Sequence, residues 1–330
     1  MLVDKLVSVI TPCFNGELYI SRFLDSILEQ TYSNIELILI DDGSTDNTKG
    51  IIDNYKQKFI DRGYSVVYIY QDNQGQASAI NRGLKLFKGE YLTWPDSDDL
   101  LYKDSIKNKV EFLFNNPEYG FVRTDLSVVN EGNVNVVLHK GSDVINFKNE
   151  IIFDDLVLEN NVFFCPGSYM VTKKALLDVK PELNIYESRA GQNWQLLLPI
   201  SLNYKCGYLD ECLYRYVIRN DSHSHGVNGF EKEIFRCKEH HELLLTTILE
   251  LNVEQYKYKQ LLSEKYSKKK FNIACQYGKI EEAILFYKTI QNKSIVEFIA
   301  LTALKTNCYT YIRRRFSLMK SVIKKIRNYK

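Results

Sequence analysis

Two acidic turns are the chemically distinctive features of the 330 residues: Asp96-Ser97-Asp98-Asp99 and Asp41-Asp42-Gly43-Ser44. Carboxylates two apart in a loop project toward one hard cation. A Mg²⁺ or Mn²⁺ held by only one or two protein oxygens takes its remaining ligands from a substrate diphosphate. The first turn therefore suits a metal–nucleotide site, although the same acids also suit a helix N-terminus, where the macrodipole favours negative charge. Taken alone, the second turn reads equally as an ordinary bend. An EF-hand is excluded: the sixth position from Asp96 is Leu101 where glycine is needed, and the twelfth is Lys107 where glutamate is needed. Neither Gly-x-Gly-x-x-Gly nor Gly-x4-Gly-Lys-Ser/Thr occurs, so neither glycine-rich phosphate loop grips a nucleotide here. A metal bridging two phosphates, with acids at two strand ends contacting base and ribose, supplies another grip.

Such turns need strands behind them. From Leu6 to Phe114 short β-rich runs alternate with longer helical stretches, the pattern of an α/β fold with a doubly wound sheet. Residues 6–10 read as a first strand ended by Thr11-Pro12, and 18–30 as a helix with Ile20, Phe23, Leu24, Ile27 and Leu28 at helical spacing. Residues 35–40 form a near-continuous apolar strand suited to burial on both faces, and Ser44, Thr45 or Asp46 can cap the helix after it. A third strand is expected over 66–70, a helix from Gly75 through Leu86, and a fourth strand over 90–94 with Asp96 just beyond it. Both acidic turns thus follow strands, at the carboxyl ends where doubly wound sheets bind ligands. Strands are also expected over 121–130 and 134–138, a turn at Cys165-Pro166-Gly167 and a helix near 194–200. Beyond Phe230 glycine and proline almost vanish and helical periodicity takes over. A boundary near 226–229 would divide a catalytic domain, 1–228, from a helical region, 229–330. Within that region, 271–283 reads as two helices meeting at Gly278, a single hairpin and no repeat array.

The order and spacing of several segments resemble family 2 glycosyltransferases. The segments are Val7-Ser8-Val9-Ile10-Thr11-Pro12-Cys13-Phe14-Asn15, Ser26-Ile27-Leu28-Glu29-Gln30-Thr31, Asp41-Asp42-Gly43-Ser44-Thr45-Asp46, Asn73-x-Gly75-x3-Ala79-x-Asn81-x-Gly83, Gly89-Glu90-Tyr91 and Asp96-Ser97-Asp98-Asp99. The likeness covers 5–115 closely and 116–225 loosely. It implies a GT-A fold, to which the helical region 229–330 is a C-terminal appendage outside the likeness, a nucleotide-diphospho-sugar donor (a UDP-sugar is expected), Mn²⁺ or Mg²⁺, and inversion at the anomeric carbon. Carried onto this chain, the resemblance makes Thr11, Pro12, Asn15 and Glu17 line the base and ribose pocket and brings Asp42 to the nucleobase. Asn81 and Ser97 join the donor site, Asp96 stands at the ribose or metal edge, and Asp98 becomes the metal ligand most needed for diphosphate departure. Arg219 or His223 would close over the diphosphate or complete the metal shell, unless their segment is a surface loop. The acceptor would be a glycan or a lipid-linked glycan of a bacterial surface polysaccharide, capsule or lipopolysaccharide.

Inverting transfer needs a carboxylate near the acceptor hydroxyl, because the hydroxyl becomes a good nucleophile only as its proton leaves. Many relatives place a Glu-Asp pair ahead of a helix. Here the corresponding stretch is Gly191-Gln192-Asn193-Trp194-Gln195, whose amides accept no proton at neutral pH. Glu187 is the nearest replacement, with an exposed loop glutamate as its plainer interpretation. Gln192, Asn193 and Trp194 still read as an acceptor-side cluster, the indole offering a flat face to a sugar ring, though a tryptophan is also ordinary core. A nucleotidyltransferase shares the sheet and the metal carboxylates. A sugar-binding module without turnover would explain the missing pair.

The formal charge of +2, from 43 basic and 41 acidic residues, gives no sign of a nucleic-acid binder. It is unevenly spread: residues 308–330 hold eight basic side chains and no acid, so the remainder is net negative. Tyr309, Ile312, Phe316, Met319, Ile323 and Ile326 recur at intervals of three and four, giving an apolar helix face amid the basic residues. Such a helix suits an anionic membrane surface or, equally, packing on its own domain. No apolar run reaches 18 residues and the N-terminus lacks a secretory layout, so a cytoplasmic enzyme, peripheral on the inner face of the plasma membrane, is expected. Seven cysteines without a Cys-x-x-Cys pair read as reduced thiols, and His240-His241-Glu242 lacks the second histidine of a zinc helix.

Overall fold

The near-continuous apolar runs become the parallel half of a sheet. In the computed structural model, which describes residues 4–188, 191–219, 229–306 and 308–309, β1 spans Val7–Cys13, β2 Ile35–Asp42, β3 Ser65–Gln71 and β4 Tyr91–Thr93. They run parallel in the order β3-β2-β1-β4. Every residue of β1 and β2 is buried, as strands covered on both faces require. The crossovers carry α1 (Ile20–Leu28), α2 (Thr48–Asp61) and α3 (Gln76–Leu84). On α1, Ile20, Phe23, Leu24 and Ile27 are fully buried, each contributing about 1.5–3 kcal/mol of apolar transfer. Helix α3 lies directly on β1: a Cβ at Gly83 would come within 2.4 Å of Ile10 Cγ2.

The first strand does not stop at Thr11-Pro12 but runs on to Cys13, with Pro12 opposite Ile40 and Cys13 opposite Asp41. β4 is only three residues long and ends opposite Val9. Past that point β1 is an edge on one side, where the missing proline N–H costs nothing. Strand β2 likewise carries Asp41 and Asp42 within its own end.

The second half of the sheet is mixed. After β5 (Leu100–Leu101) and α4 (Ser105–Asn115) come β6 (Tyr119–Asn130), β7 (Asn133–Lys140), α5 (Phe153–Leu158), β8 (Tyr169–Thr172), α6 (Lys173–Val179), α7 (Gln192–Asn203) and β9 (Lys205–Ile218). β8 is antiparallel between β4 and β6, β9 is parallel to β6, and β5 closes the nine-stranded sheet antiparallel to β9. β7 pairs with β6. This is the α/β class expected from the alternation of runs, and 121–130 and 134–138 are strands as anticipated. The Cys165 turn is a single 3₁₀ turn at Pro166–Ser168.

The described residues fall into two compact units, 1–225 and 226–330. In the second, α8 (Phe230–Glu250), α9 (Gln255–Gln276), α10 (Ile280–Thr289) and α11 (Ile295–Lys305) form the C-terminal helical region. α9 and α10 meet at Gly278, whose φ of +69° suits glycine. Its core includes Ile234, Leu244, Ile248, Leu262 and Tyr266. Among the described residues no helix is long and apolar enough to cross a membrane, and all seven cysteines are free. Apart from Cys308 and Tyr309, the basic segment 308–330 lies outside the described residues.

Candidate active site

Beyond the carboxyl ends of β1, β2, β3 and β4, four loops are laced into one rim. Asn15, held at φ +46°, donates its N–H to Ser44 Oγ at 2.9 Å and accepts the Thr45 N–H at 2.9 Å. Glu17 N donates to Asp46 Oδ2 at 2.9 Å, while Glu17 Oε2 accepts from Asn47 N at 3.0 Å. Asp46 Oδ1 takes the Thr48 N–H at 3.0 Å, the end of α2 that a cap must satisfy. Burial would raise the Asp46 pKa, but the hydrogen bonds from Thr48 and Glu17 together hold it below the usual value. Asp42 is saturated by the neighbouring loop: it accepts from Gln71 Nε2 at 2.7 Å, Gln74 N at 3.0 Å and Gly75 N at 2.8 Å. Asp41 accepts from Ser44 N and from the Tyr68 hydroxyl, each at 2.8 Å. Directly after these two acids Gly43 has φ +85°, and a Cβ there would lie 2.8 Å from Asn73 N. No other residue fits that bend.

The three acids after β4 divide their work. Asp99 is buried and accepts from the Tyr214 hydroxyl at 2.7 Å and Val217 N at 2.8 Å, so it anchors β9 to the turn. Its pKa is raised well above normal by burial and by the charges of Asp98 and Asp96. Asp96, half-buried, accepts from Gln76 Nε2 at the start of α3 at 2.6 Å. Burial and the Asp98 charge push its carboxyl up to about 7, against the lowering effect of Gln76. Asp98 Oδ2 meets Arg219 Nη2 at 2.8 Å, and Arg22 donates to the Asp98 carbonyl at 3.3 Å. The Arg219 guanidinium lies 4.2 Å above the Tyr19 ring, a cation–π contact that fixes it beside the turn.

A carboxyl raised by burial and a like charge is one that a nearby cation would stabilise in ionised form. Among the described residues no three His, Cys, Asp or Glu side chains gather into a metal cage. The hard carboxylate oxygens of Asp96 and Asp98 are of the kind Mg²⁺ or Mn²⁺ takes beside phosphate and water, and their present partners are Gln76 and Arg219.

The cluster expected on the acceptor side joins residues remote in sequence. Asn193 is buried, accepts from Trp94 Nε1 at 2.8 Å and donates to the Phe164 carbonyl at 3.1 Å, which ties the start of α7 to the approach to Asp96. Trp194 is 5% exposed, packs on Phe164 at 4.5 Å between ring centroids and donates to the Leu156 carbonyl. It is core, with no open face for a sugar ring. Gln192 is buried as well. Glu187 is exposed, and its Oε1 lies 3.4 Å from Asn81 Nδ2.

Several expected site residues have other surroundings. Thr11 and Pro12 are buried and stand behind the rim, leaving Asn15 and Glu17 exposed on it; Thr11 Oγ1 has no hydrogen-bond partner. Asn81 is committed to the backbone of Ile185, at 2.8 and 2.7 Å, and not to the donor side. Ser97 is buried between the two acids. Tyr214–Ile218, just before Arg219, belongs to β9, and His223 lies outside the described residues. Tyr19 and Gln76 are not among the positions named in the family motifs, and Gln195 stands in the sequence only as one amide of the stretch after Gly191. For Gln76 the signal was present, since it opens the helix directly after the Asn73-x-Gly75 turn.

Residues 8–179, from β1 through α6, match the family described as glycosyl transferase family 2. The chain belongs to glycosyl transferase family 2. The family 2 match takes in both acidic turns and stops short of Glu187 and Arg219. Among curated relatives, Streptococcus pneumoniae GlyA is 32% identical over 233 residues, 67% of this chain but 32% of GlyA. The putative teichuronic acid biosynthesis glycosyltransferase TuaG of Bacillus subtilis is 30% identical over 217 residues, 66% of this chain and 81% of TuaG. Like GlyA, the uncharacterized Rickettsia typhi glycosyltransferase RT0329 is matched over about a third of its own length. In fold, S. aureus TarS in complex with UDP-GlcNAc is similar at TM-score 0.60 and 19% identity, covering 95% of this chain and 92% of that one. A Pyrobaculum calidifontis mannosyltransferase with GDP-Man and Mn²⁺ is similar at TM-score 0.58 and 16% identity, covering 99% and 88%.

Proposed function

We propose that the chain is an inverting, metal-dependent glycosyltransferase that moves a sugar from a nucleotide-diphospho-sugar, a UDP-sugar first among candidates, to a glycan or lipid-linked acceptor of a cell-surface polysaccharide. The observation that carries this reading is the convergence of Asp96, Asp98 and Arg219 at the carboxyl ends of the parallel strands of a family 2 domain. The names of TuaG and the ligands of TarS and the mannosyltransferase support the substrate class.

Asp98 and Asp96 would hold the divalent cation, which supplies Lewis-acid neutralisation of charge building on the leaving diphosphate. The rim of Asn15, Glu17 and the Asp42-anchored loop shapes the place for base and ribose. Arg219, with a planar fork suited to phosphate, is stationed to exchange its Asp98 contact for the diphosphate. The acceptor oxygen attacks the anomeric carbon opposite the diphosphate, its proton passes to a Glu187 carboxylate oxygen, and the sugar–phosphate bond breaks. Residues 1–228 would form the catalytic domain. The basic face of 308–330 would hold the enzyme to anionic lipid at the cytoplasmic side of the membrane, each nearby cation adding about 1 kcal/mol.

The test is a panel of UDP- and GDP-sugars with Mn²⁺ or Mg²⁺, followed by release of nucleoside diphosphate. Metal-stimulated release from one donor is expected. Binding of a donor without release when sugar acceptors are supplied would leave only a binding module, and protection from heat by a nucleoside triphosphate alone would point to nucleotidyl transfer.

A further inference from the structure

Between α6 and α7 the chain passes through residues 183–188 without regular secondary structure, and two carboxamides from different helices hold it. Asn81 on α3 accepts the Ile185 N–H at 2.7 Å and donates to the Ile185 carbonyl at 2.8 Å. Gln195 on α7 accepts the Tyr186 N–H at 2.6 Å and donates to the Tyr186 carbonyl at 2.9 Å. All four main-chain polar groups of two consecutive residues are thus satisfied by side chains, Asn81 serving one residue and Gln195 the next. The next residue is Glu187, whose carboxylate also lies within 3.4 Å of the Asn81 amide.

A carboxamide accepts through its oxygen and donates through its nitrogen, whereas an ionised carboxylate donates nothing. Asn193 uses the same property between Trp94 and Phe164. Asn193 and Gln195 in the Gln192–Gln195 stretch are therefore struts, and their type follows from that task. The helices they join also reach the acidic turn. Helix α3 begins at Gln76, bonded to Asp96, and about 7.5 Å of helical rise separates it from Asn81.

We propose that Asn81 and Gln195 are positioning residues, which clamp the 185–186 backbone so that Glu187 faces the reacting centre as its base. The inference rests on the transferase reading given above. It gives the base a place outside the start of α7: Glu187 stands on a strap held by Asn81 from α3 and by Gln195 from α7.

The experiment uses the full chain, Mn²⁺ and the most active donor of the UDP- and GDP-sugar panel, with water as the acceptor, and reads kcat and donor KM for nucleoside diphosphate release. Glu187→Gln should lower kcat by a factor on the order of 100 or more with donor KM within twofold. Gln195→Met, which removes both clamp bonds without adding charge, should lower kcat at least tenfold at unchanged donor KM. Gln195→Glu keeps the shape and loses the donor, and should also raise the acidic limb of the kcat–pH profile through its like charge. The deciding comparison is the double variant. If Gln195 acts through Glu187, Gln195→Met costs little more once Glu187→Gln is present; an equal fold-loss in both backgrounds overturns the positioning role. Wild-type kcat in Gln195→Met and Asn81→Leu, beside a Glu187→Gln variant that has lost it, also overturns the clamp while leaving the base in place. Wild-type kcat in Glu187→Gln overturns the base assignment, and no release from any donor counts against the transferase reading itself.

Discussion

Lys109 on α4 is fully buried, and its ammonium donates to the Gly167 carbonyl at 2.8 Å. Burial lowers its pKa to about 7, well below the roughly 10.4 of an unfolded lysine. Between those values the unfolded chain holds a proton that the folded chain does not. Stability therefore rises with pH across the window, and below about 7 the cost is constant. The lysine costs about 4 kcal/mol at pH 7, about 2 kcal/mol at pH 9 and under about 1 kcal/mol at pH 10. Lys109→Met removes that cost and leaves the Gly167 carbonyl without its donor, a loss of about 1–3 kcal/mol. The variant should be the more stable protein at pH 7, lose about 2 kcal/mol of its advantage by pH 9, and fall below wild type between about pH 8 and pH 10. Urea unfolding of both proteins at several pH values, followed by a probe in the first unit, measures the difference. Equal pH slopes for the two proteins would refute the claim that this amine is neutralised by burial.

Other outcomes follow from single contacts. Asn193→Asp loses the donor to Phe164 and places a charge in a buried site, so thermal unfolding should report a loss of about 3 kcal/mol, and an unchanged midpoint would contradict the strut assignment. Gly43→Ala forces a positive φ and a clash with Asn73 N. It should cost about 1–3 kcal/mol and raise donor KM, and full stability would show that the bend tolerates a side chain. Arg219→Lys keeps the charge but not the fork; donor KM should rise about tenfold, and an unchanged KM would remove Arg219 from the donor site.

The parallel half of the sheet was legible because β1 and β2 are buried along their whole length and read as apolar-rich runs, and because β2 and β4 lead into acidic turns. The second half was not. β5 and β8 are two and four residues long, too short to show a period, and β9 carries Tyr208, Asp210 and Glu211 in its middle, which reads as loop. Pro12 misled for a reason outside its own segment, the shortness of β4. Within the site, the residue types named the acids, but partnership did not follow from type. Asn81 and Ile185 are 104 positions apart, and so are Trp94 and Asn193 by 99. Glu36 is buried in β2 and accepts from Ser8 Oγ and Gly89 N, a tie that a strand pattern shows only as a misplaced charge. Trp194 had two readings in sequence, and Phe164 and the Leu156 carbonyl decide between them.

The central claim is that Asp98 serves metal-assisted departure of a diphosphate. Its most direct measurement is the ratio of nucleoside diphosphate release with and without Mn²⁺ at saturating donor, in wild type and in Asp98→Asn, with thermal unfolding as the control for folding. The account predicts metal-stimulated release in wild type and a loss on the order of 100-fold or more in a variant that still folds. Release that ignores the metal, or that survives the substitution, would contradict it.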